Sequence, residues 1–306
     1  MSHIIKSIIE ESRCYRYPEN IPHFKLNEAK KLENIEKIKT SLAQIDELQE
    51  KALAYEALAF VGRICGVDQS TYILDDLLKD KRKKLISETL TGFSASEVPI
   101  INRFETLKYW SLEKSTDLRQ SAISAMKLCE PEWPLAEIFL MDYFSRTTNK
   151  NDLFWIIYVF MERGTNVCLS TLRAAIDRIT DGDGIVFTIR AALRIDATNM
   201  ADFFLNVFEK YSDTHIRKEA LNGLVASGQP IAVEQIIERT KKILSKKHPG
   251  YFVDYLDSHS ELQAAMMYLQ LFRNENMSIN ELFEWIKTKR MDYMDAPTRK
   301  WAEKNI

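Results

Sequence analysis

Residues 213–244, DTHIRKEALNGLVASGQPIAVEQIIERTKKIL, read as two short amphipathic helices joined by a turn, and looser copies of the first half recur along the chain. Self-similarity at a fixed spacing constrains a fold more than any single motif. Each copy is one supersecondary unit that has to bury its apolar stripe against the next. DLRQSA at 117 and DKRKKL at 80 share Asp, Arg and a following Ile-Ser (Ile86-Ser87 and Ile123-Ser124). At 152 the copy DLFWII keeps Asp-Leu but has Phe154 where the others have Arg. At 216 the pattern returns as IRKEAL, with Ile216, Arg217 and Ala220 against Leu118, Arg119 and Ala122. Starts for this helix fall near 46, 80, 117, 152, 183, 215, 249 and 279, the last two from spacing and caps alone. The step is about 30–37 residues, the size of one helical hairpin.

Helical periodicity is nearly unbroken between these starts. Leu32, Ile35, Ile38 and Leu42 recur at three- and four-residue steps, as do Leu48, Leu53, Ala57, Phe60 and Ile64 before Gly66. Asp46, Asp68, Asp80, Asp117 and Asp152 stand where helices are expected to open. Residues 96–110 are expected to form a helix with Pro99 in its first turn, and Pro131 and Pro134 to introduce the helix over 135–144. No alternating strand is found. With 9 Gly and 8 Pro in 306 residues, the chain is poor in the residues that tight β-turns demand. An all-α fold is the consequence.

An apolar share of 45% with 28% charged residues is that of a folded, water-soluble chain, and a net charge of −2 gives no general attraction to nucleic acid or anionic lipid. The longest apolar run, 153–161, is too short to span a bilayer. The N-terminal stripe of Ile4, Ile5, Ile8 and Ile9 is broken by Lys6 and Glu10, which makes an amphipathic helix and not a secretion signal. Cys14, Cys65, Cys129 and Cys168 form no CxxC pair, and three sit in apolar helical patterns. A cytoplasmic, soluble protein with reduced thiols is expected, without a membrane partner.

The unit Asp, then hydrophobic-Arg-x-x-Ala, then an apolar stripe resembles the HEAT and HEAT-like (PBS-lyase-type) repeat family over most of the chain, most closely at 117–144 and 213–244. Tetratricopeptide and ankyrin signatures are missing. The resemblance implies a right-handed superhelix of antiparallel helix pairs, a HEAT-like solenoid of about eight pairs. Residues 1–45 would cap it at the N-terminus, 46–290 would form the repeats and 291–306 the C-terminal cap. It also implies that the Arg-bearing helices line the concave side. Arg82, Arg119 and Arg217 would be structural, through Asp–Arg bonds between adjacent repeats, with Phe154 interrupting that ladder.

No stretch carries a catalytic or cofactor signature. His3, His23, His215, His248 and His259 include no pair at metal-binding spacing and no HExxH, and the His-Glu dipeptides of iron-binding HEAT proteins are missing. TDGDG at 180–184 fails as a calcium loop in both registers, since the twelfth ligand falls on Arg190 or Thr188. It reads as a turn between helices. No phosphate loop and no Ser-His-acid pattern is found. Neither cofactor nor metal is expected.

Function is therefore argued from surface type. Three and seven residues after each helix start fall Lys83 and Ser87, Gln120 and Ser124, and Lys218 and Asn222, all polar, as an exposed strip should be. In the central repeat the same strip holds Trp155 and Val159, with Tyr158 beside them. Either that helix is buried on all sides, or Trp155 and Tyr158 are aromatic anchors of the kind that dominate protein interfaces. Lys81-Arg-Lys-Lys84 lies in a first helical turn, where cations are unfavourable. It is a solvated turn relieved by Asp80, or else Lys83 holds an acidic or phosphorylated partner. The expected function is a non-catalytic scaffold, adaptor or inhibitor that binds a protein or peptide in a concave groove through Lys83, Ser87, Gln120, Ser124, Trp155, Tyr158, Lys218 and Asn222. The alternative is nucleic-acid binding or repair, as in the HEAT-like alkyl-base glycosylases, using Lys83, Lys218, Arg190 or Arg194 and Trp155.

Overall fold

The stripes and caps build helix after helix in the computed structural model of the chain, which describes residues 31, 33–245 and 261–306. His3, His23, His248, His259 and Cys14 lie outside these residues. So do the expected N-terminal helix, residues 15–24, where Pro18 and Pro22 predict an extended connection, and residues 251–256, where the sequence predicts a helix. The chain divides into two compact units, Met1–Cys168 and Leu169–Ile306.

In the first unit the helices are α1 (Glu33–Leu42), α2 (Leu48–Cys65), α3 (Ser70–Lys79), α4 (Lys83–Ala95), α5 (Phe104–Ser111), α6 (Thr116–Ala125), α7 (Trp133–Arg146) and α8 (Lys150–Arg163). They form two layers. The even-numbered helices pack side by side in the order α2, α4, α6, α8, and α1, α3, α5 and α7 pack against them. The interface between layers is the core, with Tyr55, Leu58, Leu74, Leu85, Phe93, Ile123, Leu140, Ile156 and Phe160 all fully buried. The second unit holds α9 (Leu169–Ala175), α10 (Gly182–Asp196), α11 (Ala201–Lys210), α12 (Thr214–Ser227), α13 (Val233–Ile243), α14 (Glu261–Leu271), α15 (Met277–Lys289) and α16 (Ala296–Asn305). There α10, α12, α14 and α16 are successive neighbours, with α9, α11 and α13 packed on them. Among the described residues the fold is all-α apart from one two-residue parallel pairing, and no helix is long and apolar enough to cross a membrane.

Polar contacts between non-adjacent segments recur about one hairpin apart. In the first unit they include Arg82 to the Asp46 carbonyl, 36 residues away, Ser87 to Ser121 at 34 and Arg119 to Asp152 at 33. In the second they include Lys210 to Asp177 at 33 and Gln229 to the Thr198 carbonyl at 31. These contacts tie helical hairpins to their neighbours within each unit.

Several expected helix starts are displaced. Glu47, not Asp46, caps α2 by accepting from the Gln49 and Glu50 amides. Asn149 caps α8, and Asp152 stands in the first turn. Asp80 accepts from the Arg82 amide and side chain, and α4 begins only at Lys83. Asp213 does cap α12, accepting from the Ile216 amide, and Gly66 and Gly228 end their helices at φ 69° and 63°, the left-handed conformation glycine adopts without strain. Asp181 caps α10 through the Gly184 amide, so the TDGDG stretch starts a helix. The single helix expected over 96–110 is not formed. Glu97 and Asn102 have φ of 48° and 52°, which breaks a helix twice, and Ile100–Ile101 between them pairs in parallel with Cys129–Glu130. Pro99 biases its predecessor toward extended backbone, and only α5 is helical.

Candidate ligand-binding site

Arg119 and Asp152 set how α6 and α8 meet. With Asn149 serving as cap, the Asp152 carboxylate is released to accept from Arg119 Nε at 3.0 and 2.8 Å and from the Tyr143 hydroxyl at 2.8 Å. Asp152 is buried and Arg119 largely so, with side chains 2% and 12% exposed. Burial, and then the hydrogen bond to Asp152, push the Tyr143 phenol up to about 12. Arg119 also donates to the Glu113 carbonyl at 3.1 Å. The Asp–Arg bond expected between adjacent repeats is therefore present here. Arg82 instead pairs with Asp80, two residues before it, and Arg217 donates to the Phe208 carbonyl with its guanidinium over the Phe208 ring.

On the opposite side of the same helices from the core lies a cavity of about 490 Å³, formed by three successive even-numbered helices of the first unit. From α4 and the turn after it come Thr91, Ser94, Ala95 and Glu97; from α6 and its last turn Asp117, Gln120, Ser121, Ser124 and Lys127; from α8 Trp155, Tyr158 and Glu162. Within each helix these residues follow the i, i+3, i+4, i+7 spacing, so each contributes a single face. Trp155 and Tyr158 are half-buried and meet edge to face, with ring centres 5.5 Å apart.

The polar atoms of the wall fall into two groups. One is satisfied: the Ser121 hydroxyl lies 2.9 Å from that of Ser87 and 3.2 Å from that of Thr91, tying α4 to α6. Lys127, 9% exposed, donates to the Tyr158 hydroxyl at 3.2 Å and stands 3.8 Å from Glu162. Its ammonium is 5.0 Å from the ring centre, over the phenolic edge, so the hydroxyl contact outweighs attraction to the ring face. The other group is unsatisfied. Gln120 Nε2 and Ser94 Oγ are buried without a hydrogen-bond partner, and each such group costs about 1–3 kcal/mol while it stays unpaired. Three carboxylates, Glu97, Asp117 and Glu162, face one ammonium, so the wall is acidic.

Gln120, Ser124, Trp155 and Tyr158 are thus brought together. Ser87 is one hydroxyl contact behind them, buried against Ser121. Val159 is fully buried in the core, so that helix is apolar on one side and half-open on the other. Lys83 is elsewhere, in an exposed ion pair at 2.8 Å with Glu113, whose carboxyl the bond holds below its usual range. Lys218 and Asn222 lie half-buried on α12, in the other unit. The expected strip missed Thr91, Ser94, Ala95, Glu97, Asp117, Ser121, Lys127 and Glu162. Continuing the i, i+3, i+4, i+7 face from Gln120 and Trp155 would have reached Asp117, Ser121 and Glu162.

Among the described residues no group of three His, Cys, Asp or Glu side chains gathers as a metal site. Burial pushes the Cys129 thiol up to about 12, and the Cys168 thiol donates to the Thr165 carbonyl at 3.2 Å. No protein-family model, curated protein or solved structure matches the chain.

Proposed function

We propose that the chain is a non-catalytic protein-binding scaffold, adaptor or inhibitor. Its stacked hairpins would be HEAT-like repeats with the right-handed superhelical twist of that family, and its even-numbered helices would supply the binding face. The observation that carries this is the cavity between α4, α6 and α8. It couples two half-buried aromatic rings to buried hydrogen-bonding groups that lack partners. Interfaces concentrate their energy in such aromatic anchors, and stacked helical hairpins commonly use one continuous face for them.

Nucleic-acid binding receives less support. Of the cations that reading needs, Lys83 is paired with Glu113 and Arg190 with Glu219 at 2.9 Å, and the cavity beside Trp155 is acidic. The test is affinity capture from a cell lysate with wild-type chain and a folded Trp155→Ala variant. Captured partners should weaken by well over ~1 kcal/mol in the variant if Trp155 anchors them. Equal capture by both proteins refutes the assignment of the site. Affinity for DNA or RNA that falls steeply with salt would favour the nucleic-acid reading.

A further inference from the structure

We infer that the cavity between α4, α6 and α8 takes an extended peptide segment presenting a cationic side chain, arginine above all. This rests on the protein-binding reading and adds the chemistry of what enters. Charge makes the first selection. Asp117 and Glu162 are exposed and Glu97 is half-buried, while the one ammonium of the wall, Lys127, is held by Tyr158 and Glu162. An anionic ligand meets like charge there, whereas a guanidinium meets carboxylates that match its paired donors.

The aromatic pair makes the second selection. Trp155 shares the wall with the carboxylates, and indole is the ring that attracts cations most strongly. The unpartnered groups make the third. Rotation about the side-chain bonds of the half-buried Gln120 turns its amide toward a ligand. A peptide unit satisfies that amide in either orientation, because it carries both a carbonyl and an N–H. The Ser94 hydroxyl is met in the same way. A phosphate or carboxylate ligand also offers acceptors, but brings the charge that the wall repels. A cavity of about 490 Å³ has room for one long side chain with its flanking peptide units.

A library of random dodecapeptides displayed on phage, selected on the full chain, tests this. Clones are re-measured on Trp155→Ala and on the double variant Glu97→Gln/Asp117→Asn, with circular dichroism confirming that each variant folds. Gln120→Met, nearly isosteric, supplies the dependence test if Trp155→Ala unfolds. The expected result is a set of clones rich in arginine that are lost on the anchor variant and weakened roughly three- to tenfold by removal of the two charges. Anchor-dependent clones that are neutral or acidic overturn the cationic inference and leave the protein-binding reading standing. A selection that yields no anchor-dependent clone overturns both. Competition by a fluorescein-labelled single-stranded DNA at low salt would also overturn the inference.

Discussion

Asp152→Ala should be the most damaging single truncation near the site, because it strips a buried guanidinium of its counter-charge. The Asp152 side chain is 2% exposed and accepts a hydrogen bond from Arg119 Nε, shared between its two oxygens, and a second from Tyr143. Breaking a buried ion pair from one side costs about 3–5 kcal/mol. Arg119 keeps the Glu113 and Lys114 carbonyls as acceptors at 3.1 and 3.4 Å, which points to the lower end, near ~3 kcal/mol. Alanine's better helix propensity, worth about half a kcal/mol, is offset by loss of a carboxylate in the first turn, where the helix dipole favours it by a similar amount.

Urea unfolding followed by circular dichroism and tryptophan fluorescence measures the loss. With a slope of ~2 kcal/mol per molar urea, the transition of the first unit should move down by ~1.5 M. The double variant Arg119→Met/Asp152→Leu should lose less than the two single variants together, because it leaves no charge behind. In Asp152→Ala the Tyr143 phenol should titrate closer to its ordinary range in an ultraviolet pH titration, since one of the two main causes of its elevation is gone. A loss below ~1 kcal/mol, or full additivity in the double variant, would refute the view that this pair locks α6 against α8.

In the second unit, a Cβ added at Gly223 would lie 2.5 Å from the Phe204 ring, which is fully buried. Gly223→Ala should therefore destabilise by up to ~2 kcal/mol, since overpacking of ~1–3 exceeds the ~1 gained in helix propensity. Thermal unfolding with an unchanged or raised midpoint would count against it. Tyr268→Phe removes a buried hydroxyl that accepts from the Ala232 amide at 3.0 Å and donates to the Gln229 carbonyl at 2.7 Å, and should cost about 1–3 kcal/mol by the same assay. The hydrogen bond from Arg82 holds the Asp80 carboxyl below its usual range. A depressed folded-state pKa contributes stability that is full above the unfolded value and lost as pH falls through the folded one. Wild type should accordingly exceed Asp80→Asn by ~0.2–1 kcal/mol at neutral pH, and the gap should close below about pH 4. Urea titrations at pH 7 and pH 3 decide it.

What was legible along the chain follows how far each physical cause reaches. Apolar stripes and glycine stops act within a turn or two, so the helices near Gly66 and Gly228 could be placed from local sequence. Caps were less legible because Asp in a first turn has two uses. Asp213 caps its helix, whereas Asp152 has that duty taken by Asn149 and turns to Arg119, 33 residues earlier. The same distinction governs the site. Counting along one helix correctly grouped Gln120 with Ser124, and Trp155 with Tyr158, because a helix face is a local property. It failed for Lys83, where α4 begins three residues later than Asp80 and the ammonium finds Glu113, 30 residues away. It failed for Val159, one turn beyond Trp155 but fully buried, because the half-open face runs through Trp155, Tyr158 and Glu162 instead. Lys127 could not be recognised as a spent cation, nor Gln120 as an unpaired amide, from any spacing. Those properties exist only once α4, α6 and α8 lie side by side, and they turn a polar strip into a surface that prefers one sign of charge.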